Sequence, residues 1–232
     1  MTKKEFEVFM YIGVEKILIC VFSKLDSKIL YKKESKFLEF IDHVDENKII
    51  NFLSENIFKV EKQLNQFISD ISLIVDSKQF QTIDISINQN IYSNIKKKNQ
   101  LDLLKELKNY IFDNYPDYTV VHYVVNHYLF DRKIYKNFEL SKKCKQFGVD
   151  TTFILLNKNE ILFYKNIFNK FQISVKKIMS SKYIFNFFDS NEFNECEMGR
   201  KISSGFNLNE VFLIEKIVEK KGFFERFFHF FS

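Results

Sequence analysis

Apolar positions along the chain switch between two periods, and the switches mark out its elements. Residues 6–22 alternate and then run apolar through Ile17-Leu18-Ile19-Cys20-Val21-Phe22; with shorter patterns over 28–33 and 37–41 they predict an opening β-meander. Over 46–68 the period becomes helical: Ile50, Leu53, Ile57, Val60, Leu64 and Phe67 recur three or four apart, and Asp45 stands where an N-cap belongs. Strand patterns return at 71–75 and 82–87. A helix comes next, with Leu103, Leu104, Leu107 and Ile111 on its apolar face, and Pro116 ends that unit. Residues 118–130 and 151–156 read as strands, with 131–150 a charged connection between them. Ile161, Tyr164, Ile167, Phe168 and Phe171 mark another helix, 173–178 a strand and 182–188 a helical patch. Residues 189–207 are polar, hold two of the five glycines and read as a linker. The whole order predicts an α/β protein, a mixed sheet with helices packed on it.

The chain's last stretch obeys a different rule. On a helix turning about 100° per residue, Phe223, Phe224, Phe227, Phe228, Phe230 and Phe231 fall within an arc of roughly 160°, with Glu225, Arg226 and His229 opposite. So short a helix does not form alone in water and needs a surface. Burying a Phe is worth about 1.5–3 kcal/mol, more than the ~1 kcal/mol that Lys220, Lys221 or Arg226 each gains at an anionic surface. Residues 208–232 therefore read as a membrane-targeting segment whose binding is mainly hydrophobic. The competing reading docks the same rings on the protein's own body or in a partner's groove.

Composition alters this picture little. At 232 residues, 46% hydrophobic and 17% aromatic, the chain has ample material for a core. Its Phe, Ile, Asn and Lys content is that of an AT-rich genome. A formal charge of +5 is spread over 35 basic and 30 acidic residues, which argues against nucleic acid as a partner. Cys20, Cys144 and Cys196 are odd in number and form no CxxC pair, in keeping with a reducing compartment. No signal peptide and no apolar run near the ~18 residues of a spanning helix is present, so a cytoplasmic location is expected.

Candidate chemistry is sparse. There is no P-loop, GxGxxG or GxSxG, and His43, His122, His127 and His229 lack partners at catalytic or metal spacing. No catalytic residue, metal ligand or cofactor is assigned, and the chain is expected not to be an enzyme. A small enzyme whose site is made only by the fold is the remaining class.

The middle of the chain resembles FtsA, the bacterial actin-like cell-division protein. Tyr11-Ile12-Gly13 with residues 16–21 looks like the family's first strand and phosphate loop, and residues 68–80 like the strand leading into its inserted subdomain. The most specific stretch is Val120-Val121-His122-Tyr123-Val124-Val125-Asn126-His127-Tyr128-Leu129-Phe130-Asp131. It is similar to the family's Val-Leu-His-Val-Ile-Pro-Gln-Glu-Tyr-x-Ile-Asp strand, and residues 149–156 and 174–188 come at the family's distances.

The resemblance implies an actin-like subdomain 1A over 1–77 and 158–188, an inserted SHS2-like subdomain 1C over 78–157, and a C-terminal membrane helix. It implies a shortened relative without the second lobe, hence without the pocket for the FtsZ tail, so direct FtsZ binding is not expected. The family's loop has an acid where this chain has Tyr11, and the glycines here never cluster, so Tyr11, Gly13 and Lys16 form a degenerate nucleotide loop and ATP binding is doubtful. The implied function is that of a non-catalytic scaffold on the inner face of the cytoplasmic membrane, at the division site. Its partners would be division proteins or further copies, contacted through residues 81–157. The alternative is a PilM-like pilus-assembly adaptor.

Overall fold

The computed structural model describes residues 5–37, 45–91, 94–140, 142–189 and 191–211. The strand pattern over 37–41 lies mostly outside these residues. So do His43, His229 and every proposed membrane contact, namely Lys220, Lys221, Phe223, Phe224, Arg226, Phe227, Phe228, Phe230 and Phe231.

The chain is α/β, built on two sheets. The first has the order β3-β2-β1-β4-β9, from β1 (Phe6–Ile12), β2 (Lys16–Ser23), β3 (Ile29–Lys36), β4 (Asp70–Val75) and β9 (Ser174–Ser180). β1 to β3 are an antiparallel meander, whereas β4 runs parallel to β1 and β9 parallel to β4. The second sheet is antiparallel, in the order β5-β8-β6-β7, and lies in sequence between β4 and β9. Its strands are β5 (Phe80–Asn90), β6 (Tyr118–Phe130), β7 (Lys133–Tyr135) and β8 (Gln146–Asn157).

The apolar run in β2 reflects burial on both sides of the first sheet. Phe6, Val8, Met10 and Ile12 of β1, with Ile17, Ile19 and Val21 of β2, face helices α1 (Glu46–Leu64) and α3 (Lys158–Asn169). Phe9, Tyr11, Leu18, Cys20 and Phe22 face the other way, toward α4 (Ser181–Phe185) and α5 (Glu195–Ser203). One face of the second sheet is covered by α2 (Lys97–Asn114) through Leu103, Leu104, Leu107 and Ile111, and the other is buried only at one end, at His122, Ile154 and Leu156.

Three expectations need correction. Residues 131–150 are not only a connection, since they contain β7 and the start of β8, which begins at Gln146 rather than near 151. Asp45 does cap α1, but the helix ends at Leu64 because Asn65 takes a left-handed conformation (φ 50°) that closes it, leaving Phe67 85% exposed. The segment 189–207 is not a plain linker, since it contains α5. Asn194 caps that helix, Glu197 returns the bond to the Asn194 amide, and Cys196, Met198, Gly199 and Ile202 are buried against the first sheet.

Candidate functional site

The carboxyl ends of the parallel strands β1, β4 and β9 come together with one border of the second sheet. In open α/β sheets this is where ligands bind. Two adjoining features occupy it.

One is the turn between β1 and β2. The Gly13 amide donates to the Lys16 carbonyl at 3.0 Å, making the turn tight. Tyr11 folds over it so closely that a Cβ on residue 13 would lie 2.2 Å from the phenol oxygen. Burial, reinforced by Asp76, Glu195 and Glu15, raises the Tyr11 pKa well above the ordinary phenol range, so the group stays neutral. The Lys16 ammonium is held by Glu195 of α5 at 2.9 Å and Glu34 of β3 at 3.2 Å. Burial opposes its charge, but these two carboxylates prevail and raise its pKa. The structure thus brings Tyr11, Gly13 and Lys16 to one turn, with the space above the glycine filled by a ring and the lysine committed to ion pairs.

The other feature is a cleft of about 780 Å³ between the two sheets. Asp76 and Ser77 succeed β4, Ser181 and Tyr183 belong to α4, and Val124, Asn126 and Thr152 come from the second sheet. Polar side chains on its walls are ordered by one another: Ser181 Oγ donates to Asp76 Oδ1 at 3.2 Å, and Asn126 Nδ2 to Thr152 Oγ1 at 2.8 Å.

Beside the cleft lies a buried polar cluster. The Ser180 amide donates to His122 Nε2 at 3.1 Å, which makes Nε2 an acceptor and places the imidazole proton on Nδ1. Nδ1 then donates to Glu210 Oε1 at 2.8 Å. Tyr183 Oη donates to the other carboxylate oxygen at 3.1 Å and accepts from Asn207 Nδ2 at 2.8 Å. Residues 207–211 are thereby fastened to β6, and the backbone adds two bonds: Val125 N–H to the Asn209 carbonyl and Val211 N–H to the Tyr123 carbonyl. With Nε2 occupied by a backbone amide, His122 has no free nitrogen with which to act as a general base.

Burial lowers the His122 pKa, and the Glu210 contact only partly opposes this. Burial likewise lowers the Lys177 pKa, again against the pull of Glu210. The unfolded chain takes up a proton at His122 near pH 6.5, where the folded chain does not. As the pH falls below that value, stability should decline by about 1.4 kcal/mol per pH unit until the folded imidazole also protonates. Urea unfolding between about pH 5 and 7 is expected to reveal this slope in the wild type and a flatter one in His122→Asn.

Sequence reasoning finds His122 only as part of a strand and misses Glu210, Tyr183 and Asn207. No signal in the chain links residues 88 apart. His127 is half-buried, with Nδ1 3.9 Å from Asp150. Among the described residues no group of three His, Cys, Asp or Glu side chains has the geometry to hold a metal ion. None of the described helices is long and apolar enough to cross a membrane.

No protein-family model matches the chain, and no curated protein matches it in sequence. Solved structures similar to it in backbone include the following three. The cytoplasmic domain of EpsL, an inner membrane component of the type II secretion system of Vibrio cholerae, is 10% identical, with 77% of this chain and 58% of that chain covered and a TM-score of 0.39. A PilM-PilN type IV pilus biogenesis complex is 7% identical, covering 78% and 49%, with a TM-score of 0.48. A Bacteroides thetaiotaomicron protein with an actin-like ATPase fold is 12% identical, covering 79% and 56%, with a TM-score of 0.35. The chain spans about half to three fifths of the length of these structures.

Proposed function

We propose that this chain is a non-catalytic scaffold with an actin-like first lobe, which docks a protein partner in the inter-sheet cleft and rests on the inner face of the cytoplasmic membrane through its Phe-rich end. The favoured setting is the cell-division apparatus, in keeping with the resemblance to FtsA. One contrast carries the reading. At the ends of the same strands, the turn that would meet phosphates is filled by Tyr11 and its lysine is tied to Glu195 and Glu34, while the neighbouring cleft is open. An antiparallel meander continued by two parallel strands, with a second sheet inserted between those two, supports the actin-like part and its division into subdomains 1A and 1C.

A PilM-like pilus-assembly adaptor is the second reading, and the cleft itself favours it. Such an adaptor takes a peptide of the pilus machinery, and an open groove between two sheets suits an extended segment. A fluorescent fusion separates the settings: a mid-cell band is the division outcome, and its absence in dividing cells contradicts that setting.

Membrane association has its own test. Wild type is expected to sediment with anionic liposomes and to lose little binding in high salt, because the apolar term dominates. Phe224→Glu with Phe228→Glu should reduce bound protein at least about tenfold, since two buried rings are worth more than 1.4 kcal/mol. Equal sedimentation of the double variant and wild type would remove the anchoring role from this segment.

A further inference from the structure

β5 borders the second sheet and pairs with β8 along its whole length, Phe80↔Leu156 to Asn90↔Gln146, without a register shift. Among the described residues no strand lies on its other side. Proteins usually blunt such an edge with lysine, proline, a bulge or brevity. The remaining edges here obey that rule: β3 carries Lys32, Lys33 and Lys36 and pairs with β2 through a bulge, β9 carries Lys176 and Lys177, and β7 has three residues. β5 has eleven residues, Phe-Gln-Thr-Ile-Asp-Ile-Ser-Ile-Asn-Gln-Asn, with no lysine, arginine, proline or bulge.

Its hydrogen-bonding direction can be read off the ladder. The Ile91 amide bonds to the Lys145 carbonyl, in register with the pairing of β5 and β8, so odd residues of β5 turn their backbone groups toward β8. Thr82, Asp84, Ser86 and Asn88 therefore present N–H and C=O outward. On the side chains' side, Ile83, Ile85 and Ile87 are only half-buried against the core under α2.

The strand is also nearly palindromic in chemistry about Ile85. Read outward in both directions, Asp84 answers Ser86, Ile83 answers Ile87, Thr82 answers Asn88 and Gln81 answers Gln89. A second β5 laid antiparallel with its two-fold axis at Ile85 would set Asp84 against Ser86 and Thr82 against Asn88 as the hydrogen-bonded pairs. Those are the residues whose backbone groups point outward. The same register stacks isoleucine on isoleucine over the α2 side and opposes no like charges. Centring the pair on Asp84 would instead face two carboxylates, which is unfavourable. We infer that β5 is a self-association edge, through which two copies of this chain join their four-stranded sheets into one continuous eight-stranded sheet about a two-fold axis at Ile85.

The full chain carries the test, in a Cys144→Ser background because Cys20 and Cys196 are buried. Ile85 would meet its own counterpart in a non-hydrogen-bonded pair, where Cα atoms about 4.5 Å apart lie within disulfide range. Ile85→Cys should therefore yield a covalent dimer on mild oxidation, and Ser86→Cys, which would face Asp84, should not. Sedimentation equilibrium of the wild type should give a dimer at micromolar concentration. Ser86→Pro, which removes an outward donor and no backbone bond to β8 but also loses the Ser86 hydroxyl bond to Asp150 of β8, should shift it to monomer with its far-UV circular dichroism and cooperative unfolding retained. A monomeric wild type without selective cross-linking at position 85 overturns the interface. Cross-linking of Ser86→Cys in place of Ile85→Cys overturns the register and with it the assigned axis.

Discussion

Glu210→Ala is expected to destabilise the protein by about 3 kcal/mol, because it leaves the His122 Nδ1–H and the Tyr183 hydroxyl buried without an acceptor, at about 1–3 kcal/mol each. Glu210→Gln keeps one acceptor and should lose roughly 1 kcal/mol. Denaturant titration measures both. The loss should also be local in hydrogen exchange. The Val125 and Val211 amides are bonded to residues 209 and 123, and should exchange faster once residues 207–211 come away from β6. Unchanged stability together with unchanged protection of these two amides would mean that the cluster does not fasten the segment.

The second large effect is expected at the interface between α5 and the first sheet. Helix and sheet meet so closely that a Cβ on residue 199 would stand 2.6 Å from Ile74 Cγ1 and 2.7 Å from its Cδ1. Ile74 is fully buried on a central strand, with Met179 also close to residue 199. Gly199→Val should cost about 2–3 kcal/mol through overpacking, enough to lower the melting temperature by several degrees. Gly199→Ala already places its Cβ in that contact with Ile74 and should destabilise too, by less than valine because it adds no γ carbons and gains about 1 kcal/mol in helix propensity. Equal stability of Gly199→Val and wild type would contradict the packing described for α5.

The mixed α/β class, the strand over 118–130 and the cap at Asp45 are legible in the chain because each leaves a local trace: period, apolar content or a side chain that bonds its own helix start. The apolar stripe of α1 is legible too, apart from its edges. The buried face also includes Ile49, Phe52 and Asn56, and the last of these is a polar residue no hydrophobic pattern would place inside. It is accommodated by accepting from Tyr31 Oη at 3.1 Å and donating to the Phe52 carbonyl at 2.7 Å. Helix α5 escapes a periodicity reading because its inner face includes Cys196 and Gly199, residues too small to register as a stripe, although Asn194 and Glu197 do form a readable cap.

The candidate site is legible only in part. Tyr11 in place of an acid can be seen in the chain, whereas the ring's position over Gly13 and the ties of Lys16 to Glu195 and Glu34 depend on elements up to 179 residues away. The cleft and the His122 cluster depend on how the inserted sheet meets β9 and α4, which no spacing encodes.

Calorimetric titration of the full chain with Mg-ATP decides whether the turn between β1 and β2 binds nucleotide. With Tyr11 over the turn and Lys16 paired, no binding is expected at micromolar nucleotide. Saturable micromolar binding would mean that the turn opens to phosphate, and a docking scaffold without nucleotide chemistry would be the wrong description of this protein.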